Sequence, residues 1–155
     1  MIKPKTVKKK TFVITVSKTF MRNHPKKGEL TNFKKKVLSK SKIHTMRSNF
    51  KYWKSVIDKV NSGEAILSVR QWAGRPYHKD ENGVGQVEIT QFTKLGFQKV
   101  KYSRDQFITI DKKKFTDEEQ LKEIALNDGL TPDEFRGWFP KTFTGIVIHF
   151  TEFKY

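Results

Sequence analysis

Apolar and polar positions alternate or recur along this chain with periods that separate strands from helices. Phe12-Val13-Ile14-Thr15-Val16 is short and β-branched and predicts a strand. Phe20–Thr31 contains His24-Pro25-Lys26-Lys27-Gly28, which is turn chemistry. Thr31 or Asn32 can cap a short helix with Phe33, Val37 and Leu38 on its apolar face, leaving Lys34–Lys36 and Lys40 to solvent or a ligand. Phe50, Trp53, Ile57 and Val60 form the stripe of an amphipathic helix capped by Ser48 or Asn49 and ended by Gly63.

Ala65–Trp72 alternates as a strand, and so does Val84–Phe92 after a long turn. Gly96–Tyr102 and Phe107–Ile110 are further strands. Thr116-Asp117-Glu118-Glu119 and Thr131-Pro132-Asp133-Glu134 are capping boxes that open two helices, the second with Pro at its first position. The first of these runs to about Asn127, before Gly129. The alternation over Ile146–Phe153 predicts a closing strand. Five or six strands with short helices and no regular βαβ alternation predict an α+β fold, a small mixed β-barrel with flanking helices. Residues 1–10 read as a basic arm, disordered if it is only a solvated tail, and 11–155 as one domain.

Charge changes the picture because it is uneven. The net charge is +16, yet residues 1–60 hold 18 Lys and Arg against only Glu29 and Asp58, so the entire excess lies there. Such a concentration is the electrostatic footprint of a polyanion ligand. An anionic membrane is the weaker match, since there is no long basic amphipathic helix, and no segment approaches the ~20 apolar residues of a membrane span. The chain lacks cysteine, which excludes disulfides, thiolate metal sites and a Cys nucleophile and fits a reducing cytoplasm. His24, His44, His78 and His149 are scattered, so neither a metal site nor a cofactor is expected.

The densest chemistry is Ser41-Lys42-Ile43-His44-Thr45-Met46-Arg47. In an extended chain Lys42, His44 and Met46 share one face and Ile43, Thr45 and Arg47 the other; in a tight turn Lys42 and Thr45 converge. Arg70, Trp72 and Tyr77 supply a cation beside aromatics, which suits base stacking and phosphate contact. Lys40 adds charge next to the cluster. Glu88, between Val87 and Ile89, faces either solvent or a cavity.

Lys42-Ile43-His44-Thr45-Met46-Arg47 resembles the K-x-x-T-x-R signature of ASCH domains, a family with the PUA-like fold. Gly63-Glu64 followed by Ala65–Arg70 resembles the family's G-D turn and strand, with Glu64 for the usual Asp. Gln86-Val87-Glu88-Ile89 resembles its next strand, and Asn127-Asp128-Gly129-Leu130 with Phe135, Trp138-Phe139 and Gly145–Phe150 resembles the C-terminal part of a larger bacterial subgroup. The resemblance covers residues 11–155. It implies a PUA-like barrel and RNA or nucleotide binding in a cleft around Lys42, Thr45 and Arg47, with Lys40, Arg70, Trp72 and Tyr77 alongside. A more distant resemblance, to N4-acetylcytidine amidohydrolases, implies Thr45, Lys42 and Glu88 as a catalytic set and gives His44 no role. A third reading, an adaptor whose basic face meets an acidic protein, rests on charge alone.

Overall fold

The computed structural model describes residues 8–103 and 107–155, so most of the arm read at 1–10 lies outside the described residues. Among the described residues eight strands and four helices follow in the order β1 (Lys10–Thr15), α1 (Phe33–Leu38), β2 (His44–Arg47), α2 (Phe50–Asn61), β3 (Ala65–Trp72), β4 (Gln86–Phe92), β5 (Gly96–Ser103), β6 (Phe107–Ile110), β7 (Lys113–Phe115), α3 (Glu118–Asn127), α4 (Pro132–Trp138) and β8 (Phe143–His149). The architecture is mixed α+β. Among the described residues the strands form two sheets, β1-β3-β4 and β2-β8-β5-β6-β7, with no closed barrel.

Sequence neighbours are split between the sheets. β1 runs parallel to β3, while β2, lying between them in sequence, crosses to pair antiparallel with β8. β3 and β4 are antiparallel, with a register shift at Val69/Arg70. The core is aliphatic as well as aromatic: Ile14, Ile57, Leu67, Ile108, Ile110, Ile124, Ile146 and Ile148 are all essentially inaccessible to solvent. α2 packs its buried Val56, Ile57 and Val60 inward and touches strands of both sheets. Phe92 of β4 stacks on Phe150, just past β8, with ring centroids 4.7 Å apart and planes 2° from parallel.

Several local expectations hold for visible reasons. Asn49 caps α2 by accepting from the Tyr52 amide, Gly63 takes the left-handed conformation at φ 88°, and Thr131 with Glu134 forms a reciprocal capping box at α4. Others shift. The α3 box is Asp117 with Gln120, one residue later than expected. Asn32 precedes α1 in the left-handed region without a side-chain cap, and it is Thr31 Oγ1 that accepts the Phe33 amide. Leu38 is 55% exposed, because α1 ends there and only Phe33 and Val37 turn inward. β8 ends at His149, and the Phe150 amide carries the β2 register one bond further by donating to the Ile43 carbonyl at 2.8 Å. β7 is too short and polar to register as a strand in sequence.

Candidate functional site

The 41–47 stretch is placed by three attachments. Ser41 and Lys42 amides both donate to the Lys36 carbonyl at the end of α1, and the Ile43 amide donates to the Asn127 carbonyl at the end of α3. His44–Arg47 then pairs with Ile146–His149. His44, Thr45 and Met46 are buried there, and Lys42, just before the strand, is brought to the same cavity as Thr45 and Arg47.

Lys42 is 2% exposed. Its Nζ donates to the Asp128 backbone carbonyl at 2.6 Å and to Asp128 Oδ1 at 3.2 Å, and lies 4.6 Å from the Phe33 ring centroid. His44 is wholly buried, with Nδ1 3.2 Å from Asp128 Oδ1 and Nε2 2.6 Å from the Tyr155 hydroxyl. Asn127 Nδ2 donates to the same hydroxyl at 3.0 Å.

One assignment satisfies every group. The Tyr155 O–H accepts from Asn127 and donates to His44 Nε2; His44 Nδ1–H donates to Asp128; Lys42 donates to the same carboxylate. Burial drives the His44 imidazole below its ordinary pKa, against the pull of Asp128, so it is neutral. Burial opposes ionisation of Asp128, but the Lys42 charge and the His44 hydrogen bond outweigh it and hold the carboxyl below its usual range. Burial lowers Lys42, with Asp128 opposing. Burial likewise pushes the Tyr155 phenol upward, keeping its proton in place.

Thr45 is 4% exposed and Arg47 half-buried. The Arg47 guanidinium donates to Thr45 Oγ1 at 3.3 Å, to the Met46 carbonyl at 3.0 Å and to the Thr15 carbonyl at 2.5 Å. Lys42, Thr45, Arg47 and Asp128 line one internal cavity of about 30 Å³, space for one or two waters. No nucleobase fits there.

Glu88 is elsewhere. It is exposed on β4, where its carboxylate accepts from Ser68 Oγ and from Gln91 Nε2, and these hydrogen bonds lower its pKa. It does not line the Lys42–Thr45 cavity. Arg70, its cross-strand partner, donates to Ser68 Oγ at 2.9 Å and to Gln86 Oε1 at 3.4 Å. Trp72 and Tyr77 rings lie 5.2 Å apart at the end of β3, with Tyr77 86% exposed. Lys40 is exposed, in the left-handed region at φ 62° where the chain turns from α1 toward β2. The predicted residues therefore fall into an internal group (Lys42, Thr45, Arg47) and a surface group (Arg70, Trp72, Tyr77, Glu88).

Sequence reasoning missed Asp128 and Tyr155 and dismissed His44. Asp128 did leave a signal: an acid just past the C-terminus of a helix sits at the negative end of the dipole and needs a cation to compensate. Tyr155 left none.

Two grooves flank α1, with Leu38 on the ridge between them. One, about 640 Å³, is lined by Lys18, Leu30, Asn32, Lys34, Lys35 and Gln71. The other, about 420 Å³, is lined by Lys40, Thr90, Phe92, Phe150, Thr151 and Glu152, with Lys42 behind them. Lys18 Nζ also donates to the Ala73 carbonyl at 2.9 Å, which ties the first groove to the Trp72–Tyr77 end of β3. Among the described residues no cluster of His, Asp and Glu could hold a metal ion, and no helix is long and apolar enough to cross a membrane.

Fold and site together define a mixed α+β protein with a buried Lys–Asp–His–Tyr chain beneath a strongly basic face. Comparison with protein-family models, with curated proteins and with solved structures finds no match for this chain.

Proposed function

We propose that this protein is an RNA- or nucleotide-binding module of the ASCH type, an opened PUA-like arrangement, and that it binds its ligand across the basic face around α1. The observation that carries this is the 640 Å³ groove with Lys18, Lys34 and Lys35 on its rim and apolar Leu30 and Leu38 in its wall. Lys34 and Lys35 are exposed and have no acidic partner among the described residues, so they are free for phosphates. The exposed Tyr77 against Trp72 offers a stacking surface at the groove's far end. The internal Lys42–Asp128–His44–Tyr155 chain ties β2 to the end of α3 and to Tyr155, and Lys36 of α1 donates to the neighbouring Gly129 carbonyl at 2.8 Å.

The test is fluorescence anisotropy with labelled single-stranded RNA at a series of salt concentrations. Affinity should fall steeply with salt, and Lys34→Glu with Lys35→Glu should weaken binding and reduce the log–log slope by about 1.4, at about 0.7 per phosphate contact. Absence of binding at about 50 mM salt would sink the reading.

One observation favours hydrolysis instead: Lys42 and Thr45 share a cavity, and burial lowers the lysine. Two oppose it, since Asp128 occupies the ammonium and Glu88 lies outside. Incubation with N4-acetylcytidine decides: release of cytidine that Thr45→Ala abolishes establishes hydrolysis.

A further inference from the structure

The second groove beside α1 contains a group that phosphate binding does not explain. Its volume of about 420 Å³ lies within the range of small-ligand pockets. Lys40 stands in its lining, Phe92 and Phe150 form an aromatic wall of parallel rings, and Thr90 and Thr151 contribute hydroxyls. Glu152 also lines it, exposed and with no hydrogen bond or ion pair among the described residues. A carboxylate here repels a phosphate. What it attracts is an array of N–H donors.

Building on the nucleic-acid-binding reading above, we infer that this cleft is a guanine site, filled by a guanine base of RNA or by a free guanine nucleotide. An ionised carboxylate only accepts hydrogen bonds, through two oxygens side by side. Guanine presents two matching donors side by side, N1–H and the N2 amine. Adenine and cytosine present one amine next to a ring nitrogen acceptor, which the second carboxylate oxygen opposes. Uracil presents one N–H between two carbonyls. The threonine hydroxyls can donate to guanine O6, the half-buried Phe92 ring, backed by the stacked and buried Phe150, takes the base's face, and the Lys40 ammonium takes the attached phosphate.

The side chains that discriminate are on the surface, so their substitution leaves the core intact. Backbone anchors hold the wall in place: the Phe150 amide on the Ile43 carbonyl at 2.8 Å, and Thr151 Oγ1 accepting the Phe153 amide at 3.3 Å.

The experiment is calorimetric titration with GMP, AMP, CMP and UMP, alongside anisotropy with oligo(U) and with oligo(U) carrying a single G. GMP should bind at least about 10-fold more tightly than UMP, and the single G should tighten the oligomer similarly, one bidentate pair's worth of discrimination. Glu152→Gln should bring the four nucleotides close together while leaving oligo(U) binding unchanged or tighter. Lys40→Gln should weaken all four equally. Equal affinities in the unaltered protein, or a guanine preference that survives Glu152→Gln, would overturn the site. Loss of oligo(U) binding with the GMP preference intact would overturn the polynucleotide reading and leave the guanine site standing. A single G that adds nothing while GMP is preferred would assign the site to free nucleotide.

Discussion

Replacing Asp128 by Asn isolates the electrostatics of the buried chain. The substitution keeps the shape and one acceptor oxygen but removes the carboxylate that Lys42 touches among the described residues. Lys42 is then a cation 2% exposed to water, held by the residue-128 carbonyl at 2.6 Å and the Phe33 ring at 4.6 Å. Breaking a buried pair on one side costs about 3–5 kcal/mol, and the retained carbonyl and ring favour the lower end. For a chain of this length about 3 kcal/mol corresponds to a fall in Tm of roughly 6–12 °C.

The pH dependence carries the sharper signature. Burial already lowers the Lys42 pKa, and without Asp128 the depression deepens. A lysine whose folded pKa lies below its unfolded value contributes its full stability only above the unfolded pKa, about 10.4, and loses it as pH falls. The deficit of the variant should therefore shrink as pH rises from about 7 toward 10, by at most about 1.4 kcal/mol per pH unit. Urea unfolding of both proteins at the two ends of that range measures it. Adding Lys42→Met should restore most of the loss, because replacing both partners removes the unpaired charge. A deficit under about 1 kcal/mol at neutral pH, or one that does not change with pH, would refute the assignment of Lys42 and Asp128 as a charged pair.

Two further outcomes follow from the same core. Burial first, then the nearby His44 and Lys154, lower His149 to a pKa of about 3, and its Nδ1 has no partner; since this lies below the unfolded value, stability should drop as pH falls from about 6.5, and His149→Gln should lessen that drop between pH about 6.5 and 4, the remainder belonging to His44, which burial also lowers. Gly129 sits at φ 82° with space for a Cβ only 3.2 Å from Lys42 Cβ and Cδ, so Gly129→Ala should cost about 1–2 kcal/mol for the backbone alone, more if Lys42 is displaced from Asp128, read by denaturant melts.

What the sequence determined by itself is local. Ala65–Trp72 appears as a strand with the same ends in sequence and structure, because alternation and the preceding Gly63 turn are encoded within a few residues. The caps at Asn49 and Thr131 are equally legible, since a side chain and an amide three residues on satisfy each other whatever surrounds them. Strict period two over 42–47 would separate Lys42 from Thr45 and Arg47, whereas the turn before β2 brings all three to one cavity.

Tertiary structure alone decided which surfaces meet. Lys42 and Asp128 are 86 positions apart, and His44 and Tyr155 are 111 apart. No periodicity links them; they meet because β2 leaves its sequence neighbours to pair with β8 and α3 ends against Ile43. Glu88 of β4 belongs to the other sheet from β2 and does not line the cavity of Lys42 and Thr45. Strand period fixes which side chains share a face, but strand partners are chosen by how the whole set of apolar faces can be buried at once, a condition that spans the entire chain.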